Sequence, residues 1–260
     1  MPFQESGGVR YYQFDIFGGK MPHAVFTRQG GVSPAPWESL NLGGTVGDDQ
    51  QRVDENRRRA LAALGRDPQA VYDVWQVHSA HVVVADSPRP AATPPVQADA
   101  ILTERPGLTL LMRFADCVPI LLHDPVRGAA GIVHAGWLGT VRAAVRAAVE
   151  TMQGAFGSRP ADVLAAIGPS IGPDHYEVGA DVIQAVRSSF GADAPGLLLT
   201  RDGRTYFDLW AANRLLLERA GVKHIEASGL CTACRVDDWF SHRAEKGRTG
   251  RFGAMIALNP

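Results

Sequence analysis

The chain has 260 residues, 45% of them hydrophobic and 20% charged, with a net charge of −1 from 26 basic and 27 acidic side chains. That balance suits a buried globular core and leaves no electrostatic footprint for a nucleic acid or an anionic membrane. Three cysteines are too few and odd in number for a disulfide framework, and no apolar run reaches the length of a membrane span, so a soluble cytoplasmic protein is expected.

The N-terminus, MPFQESGGVRYYQFD, lacks the basic-then-apolar order of a signal peptide. Apolar runs predict strands over 11–17 and 23–28, followed by the Gly/Pro-rich loop 30–44. Residues 50–64 repeat apolar side chains at helical spacing, with Val53, Ala60, Leu61 and Leu64 on one face; the run Arg57-Arg58-Arg59 then reads as a solvated face. Strands follow at 71–77 and 81–86, and the four-proline segment 87–98 reads as a loop within the domain.

Three near-continuous apolar strands are predicted at 107–114, 118–124 and 128–134, covered on both faces. A helix over 139–153 turns Val141, Val145, Ala148 and Met152 inward. A strand at 162–167, the turn GPSIGP and a helix at 179–190 come next. Asp208 caps a helix that stops at Gly221, and strands at 224–228 and 251–258 flank a long loop. No repeat of fixed period occurs. The mixture predicts an α+β layered fold rather than a strictly alternating doubly wound one.

Polar, reactive groups interrupt the apolar strands at three places. His78 ends "WQVH", Cys117 follows Asp116 after an apolar run, and His134 ends "GIVH". Two imidazoles and a thiolate suit zinc, whose catalytic sites keep three protein ligands and one open position, with Asp116 or a carbonyl available to orient a histidine. The long, irregular separations are no zinc-finger signature, however, and composition alone accounts for a buried thiol and satisfied histidines.

Cys231 and Cys234 form a lone CxxC with no second pair and no helix pattern after it, so the two thiols are expected to pack near the site without a metal or redox role. Arg243, Arg248 and Arg251 lie among glycines in "SHRAEKGRTGR". They suit phosphate or ribose-phosphate recognition, or equally plain surface charge, as do Arg28 and Arg57. No GxGxxG follows a strand, and neither a Walker lysine motif nor a G-x-S-x-G elbow occurs.

Taken in order, "HAVFTRQGGVS", "SLNLGGTVGDD", "QVHSA", "ADAILTERPGLTLLMRFADCVPILL", "GIVHAGWLGT", "AAIGPSIG", "YEVG" and "CTAC…WFSHR…GRTGR" resemble the YfiH-type laccase-domain family from about His23 to Arg251. The resemblance implies one domain over residues 1–260 with a four-layer α/β/β/α sandwich. It implies that His78, Cys117 and His134 bind the catalytic metal, Zn²⁺ or, in vitro, Cu²⁺, with His81 structural.

It also implies phosphorolysis of adenosine, inosine, guanosine and methylthioadenosine, and deamination of adenosine, by a monomer or small homo-oligomer. Phosphate would attack the ribose C1′ while Arg28, Asn41, Arg57 or Arg243 hold the substrates; for deamination, Asp116 is the nearest candidate to move a proton. One departure is His242, where the family commonly places an aromatic residue before the arginine.

Three alternatives stand beside this. A multicopper laccase needs many histidines, often in H-x-H pairs; the chain has eight and no such pair, although one copper could bind the trio. A metal-free cysteine hydrolase would use Cys117 with His78 or His134 as base. A binding module would carry a purely structural zinc, which calls for four protein ligands.

Overall fold

The computed structural model describes residues 2–19 and 21–259. In chain order the strands are β1 (Phe3–Ser6), β2 (Val9–Tyr12), β3 (His23–Phe26), β4 (Val71–Asp73), β5 (Val82–Val84), β6 (Ala100–Thr103), β7 (Thr109–Phe114), β8 (Val118–Asp124), β9 (Ala129–Ala135), β10 (Leu164–Ile167), β11 (Leu198–Arg201), β12 (Arg204–Phe207), β13 (His224–Ala227) and β14 (Phe252–Ala257). The helices are α1 (Gln50–Ala63), α2 (Trp137–Val141), α3 (Ala144–Phe156), α4 (Ala180–Phe190), α5 (Ala194–Leu197) and α6 (Leu209–Arg219).

Two six-stranded sheets carry the molecule, in the orders β1-β2-β3-β14-β7-β4 and β13-β10-β8-β9-β6-β5, with β11-β12 a separate hairpin. Most neighbours are antiparallel; β4–β7, β5–β6 and β10–β13 are parallel. The α+β expectation therefore holds. Three apolar layers explain the stacking. Leu61 and Ala60 of α1 pack on Ala24, Phe26 and Met255 of the first sheet. Between the sheets lie Val25, Met112, Phe114, Ile132, Ala166 and Phe252. Beyond the second sheet, Val145 and Met152 of α3, Val186 of α4 and Leu217 of α6 cover Val133, Ala165 and Ile120. The result is the helix–sheet–sheet–helix order that the resemblance implied.

The long apolar strands are buried as predicted, but they do not form one block. β7 lies in the first sheet, while β8 and β9 pair in the second. Ala115–Cys117 make the crossing, with Asp116 at φ 84°. The expected strand over 11–17 is instead β2 followed by a short 3₁₀ turn at Asp15–Phe17, and β2 pairs with the unanticipated β1. The helix expected over 139–153 is broken, because Ala143 adopts a left-handed conformation (φ 57°) and separates α2 from α3. Alanine's helix propensity gives no hint of such a break; tertiary packing overrides it. β6 and the β11–β12 hairpin also lay outside the expected elements.

Elsewhere local chemistry and structure agree. Asp49 caps α1 by accepting from the Arg52 amide, and Asp208 caps α6 by accepting from that of Ala211. Glu55 pairs with Arg58 and Arg59 on the outer face of α1. The inner face carries Asn56, which donates to Ser33 Oγ and to the carbonyls of Ser39 and Asn41, and whose Oδ1 accepts from the Val32 amide. One buried amide side chain thus ties the Gly/Pro-rich loop 30–44 to the helix that positions Arg57. Among the described residues, no helix is long and apolar enough to cross a membrane.

Candidate metal centre and pocket

Register brings the three sequence-flagged donors together. In the β8–β9 ladder Pro119 faces His134 and Val118 faces Ala135, so Cys117 lies at the strand end beside His134. Val133 faces the helical layer and its neighbour His134 faces the opposite way, toward the gap between the sheets. There the His134 ring sits 5.4 Å from that of Phe114. His78 arrives from the loop after β4, held at φ 59°. Its Nε2 is 3.8 Å from Cys117 Sγ, and its ring is 4.9 Å from that of His134. The three donor atoms lie within 4.8 Å of one another, close enough to share one metal with small side-chain adjustments.

Gly136 makes room for this: a Cβ there would stand 2.7 Å from Cys117 Sγ and 3.1 Å from the His78 ring.

The residue that organises the trio is Asp99, which sequence reasoning missed. Fully buried, it accepts from His134 Nδ1 at 2.8 Å, from the amides of Val77, His78 and Ser79, and from Ser79 Oγ. One carboxylate therefore orients His134 and shapes the turn that presents His78, the role expected of a group behind a metal-ligating histidine. Its signal was an acid directly before a three-residue apolar run, "DAIL".

Burial pushes the Asp99 carboxyl up, but the hydrogen bonds from His134 and Ser79 outweigh it and hold it at about 2. Burial would likewise raise the Cys117 thiol; His134 and His78 bring it down to about 6. His134 is lowered by burial and raised further by Cys117 and Asp99, to about 9. The trio thus favours a thiolate. With Nδ1 engaged by Asp99, His134 keeps Nε2 for a ligand.

The trio lines a cavity of about 560 Å³ together with Trp75, Phe114, Tyr176, His242 and several arginines. Arg57, Arg243 and Arg251 all line it, and their hydrogen bonds go to backbone carbonyls: Leu42 for Arg57, Glu177 for Arg243, and Thr249 and Gly250 for Arg251. None of the three is in an ion pair among the described residues. Burial and the neighbouring Arg113 lower Arg57, a mark of crowded positive charge. Arg113, also in the wall and also missed, is tied to Asp73, which Arg89 grips as well. Trp75 is 48% exposed and lines the cavity.

Other sequence candidates sit differently. Arg28 points away from the cavity, bonding Glu245 and the Val236 carbonyl beneath the Phe240 ring. Asn41 is buried behind the wall; its Oδ1 accepts from the amides of Gly43 and Arg251 and so fixes two lining residues. Asp116 lines the cavity with both oxygens engaged, one by Thr232 Oγ1 at 2.6 Å and the other by the Arg243 amide at 2.7 Å. His81 lies outside the lining, bonded to the Gln97 carbonyl. Cys231 and Cys234 are absent from the lining too; Thr232, between them, is the one that reaches the site, through Asp116.

Comparison with known proteins places the chain among relatives over nearly its whole length. A family model described as "Multi-copper polyphenol oxidoreductase laccase" matches residues 22–259. A Deinococcus radiodurans protein named purine nucleoside phosphorylase is 43% identical over 238 residues, covering 92% of this chain and 89% of that one. The crystal structure of YlmD from Geobacillus stearothermophilus superposes with a TM-score of 0.92 at 34% identity, covering 100% of this chain and 99% of that one. A Bacillus licheniformis protein, YfiH, gives 0.91 at 34% identity, with 99% of each chain covered.

Proposed function

The chain belongs to the multi-copper polyphenol oxidoreductase laccase family, and on that premise we propose that it is a zinc-dependent purine nucleoside enzyme, cleaving adenosine, inosine, guanosine or methylthioadenosine with phosphate and deaminating adenosine. The relatives' naming as purine nucleoside phosphorylases supports this. The observation that carries it is a three-donor centre opening on a cavity in which three lining arginines, Arg57, Arg243 and Arg251, are in no ion pair among the described residues.

His78, Cys117 and His134 fit a divalent zinc, which when bound would supply Lewis-acid and water-activating chemistry. The other work falls to the chain's own residues. Arg57, Arg243 and Arg251 receive the phosphate dianion and balance its charge as it attacks C1′ of the ribose and the purine departs. The Trp75 face suits stacking of the base, with Phe114 and Tyr176 closing the apolar side and limiting water. Burial raises the Tyr176 hydroxyl above the usual tyrosine range, so at neutral pH it stays a neutral hydrogen-bond donor. Asp116, with both oxygens occupied, orients the Arg243 backbone. The same trio would hold copper by the usual affinity order, so copper found in a preparation does not identify the working metal.

The decisive assay incubates the protein with adenosine, with and without phosphate, and separates the products. Adenine that appears only with phosphate reports phosphorolysis, and inosine formed without phosphate reports deamination. No turnover of any purine nucleoside sinks the proposal. The lowered Cys117 thiol favours one rival, a metal-free cysteine hydrolase with His78 as base. Zinc in protein purified without added metal that falls by about one per chain in Cys117→Ala rules against that rival.

A further inference from the structure

A second set of donors lies outside the cavity. The loop after β10 contributes Asp174 and His175, and the loop after β13 contributes Cys231 and Cys234; the four ligand atoms lie within 4.8 Å of one another. His175 Nδ1 is 3.7 Å from Cys231 Sγ and 3.4 Å from Cys234 Sγ. Asp174 Oδ2 is 3.2 Å from Cys234 Sγ and 3.1 Å from His175 Nδ1.

Metal bonds of ~2.3 Å to sulfur and ~2.1 Å to nitrogen or oxygen, at tetrahedral angles, put sulfur–nitrogen and sulfur–oxygen pairs about 3.6 Å apart and nitrogen–oxygen pairs about 3.4 Å apart. All four measured separations fall within half an ångström of those edges. From this geometry we infer a second, structural zinc site formed by Asp174, His175, Cys231 and Cys234.

Four further features fit the assignment. Two thiolates and an imidazole are borderline-soft donors of the kind zinc selects, and four protein ligands leave no open position, as in a structural site. The Gly172 amide already donates to Cys231 Sγ at 3.2 Å, a bond that steadies a metal-bound thiolate. A Cβ at Gly172 would stand 2.6 Å from Asp174 Oδ1 and 3.1 Å from Cys231 Cβ, so a bare backbone is what lets the two loops close on each other. The cysteines are free thiols here rather than a disulfide. The metal would join the loop bearing Tyr176 to the loop bearing Thr232, the hydroxyl that grips Asp116. The site is therefore a clamp behind the cavity wall and not a reaction centre. It stands whether or not the proposed reaction is correct.

The test removes the first trio so that the second site is read alone. Cys117→Ala protein purified without added metal should retain about one zinc per chain by elemental analysis. Adding Cys234→Ser, or separately His175→Ala, should bring that to about zero. Should those variants fail to fold, thiol titration of folded Cys117→Ala protein answers instead: both remaining cysteines should react after chelation, and zinc should protect them. The inference is overturned if Cys234→Ser leaves the zinc content unchanged. It is equally overturned if Cys117→Ala protein holds no zinc and zinc gives no protection, or if the denatured protein shows Cys231 and Cys234 joined as a disulfide.

Discussion

Two donor clusters of similar size sit within one fold, and their surroundings separate them. His78, Cys117 and His134 are set by strand ends, backed by a buried carboxylate, and open onto a cavity lined with cations. Asp174, His175, Cys231 and Cys234 are set by two loops, offer four donors and lie outside that cavity's lining. The contrast teaches that the number of protein donors and the space beside them, rather than ligand type, divide a reacting centre from a fastening one.

The sharpest way to break the contrast is Cys117→Ala. Nucleoside turnover should fall by more than about 100-fold, beyond the loss usual for a residue behind the ligands, while the loop cluster keeps its zinc. Activity close to wild type would remove the assignment of the reacting centre.

Asp99→Asn comes next. It keeps the shape but weakens the acceptor for His134, so metal affinity at the trio should drop about 10- to 100-fold by competitive chelation. An unchanged affinity would mean that Asp99 serves only the turn at Val77–Ser79.

The two glycines then make a matched pair. Gly136→Ala forces a methyl group against Cys117 and His78 and should lower turnover about 10-fold or more, by analogy with other disturbances next to a metal ligand. Gly172→Ala disturbs the loop cluster instead; it should lower the melting temperature by roughly 2–4 °C for each kcal/mol of strain and leave turnover within about twofold. Equal loss of turnover in both would dissolve the distinction between the clusters.

The smallest effect concerns acid. Burial raises the Asp73 carboxyl, and Arg113 and Arg89 more than offset that, leaving it lowered. A lowered carboxyl contributes stability above its unfolded pKa of about 4, and that contribution is lost as the pH falls through the folded value. Asp73→Asn should therefore flatten the acid limb of a stability–pH curve followed by urea unfolding, with little change near pH 7 in the slope. A mutant curve parallel to wild type would show that the arginine wall does not depend on this carboxylate.

What was legible in the sequence follows from how unusual each residue is in its setting. A cysteine or histidine at the end of an apolar run stands out, and the helices over 50–63, 180–190 and 209–219 were expected, the first from its period and the last from its Asp208 cap. Asp99 did not stand out, because an acid before a strand looks like a turn residue until the five groups it serves are seen. Arg113 and Trp75 were hidden for a related reason: alternation along a strand tells inward from outward, but not a cavity from open solvent. The division of β7 from β8 and β9 was invisible because all three have the same apolar character. Cys231 and Cys234 were set aside for want of a second CxxC, whereas their partners are the adjacent pair Asp174 and His175, which carry no spacing motif.

One feature of the reacting centre reaches well beyond it. His78 follows β4 of the first sheet and His134 is embedded in the second, so the triangle of donors spans a seam between two slabs, which are tied there also by the chain crossing at Ala115–Cys117 and by the amides of Val77, His78 and Ser79 on Asp99. Any slippage along that seam alters the bite of the ligands, and cargo gripped at the edge resists the slippage in turn. Thinning the filling far from the cations, for instance at Phe252 or Ile132, would loosen the hold on metal without touching a single donor.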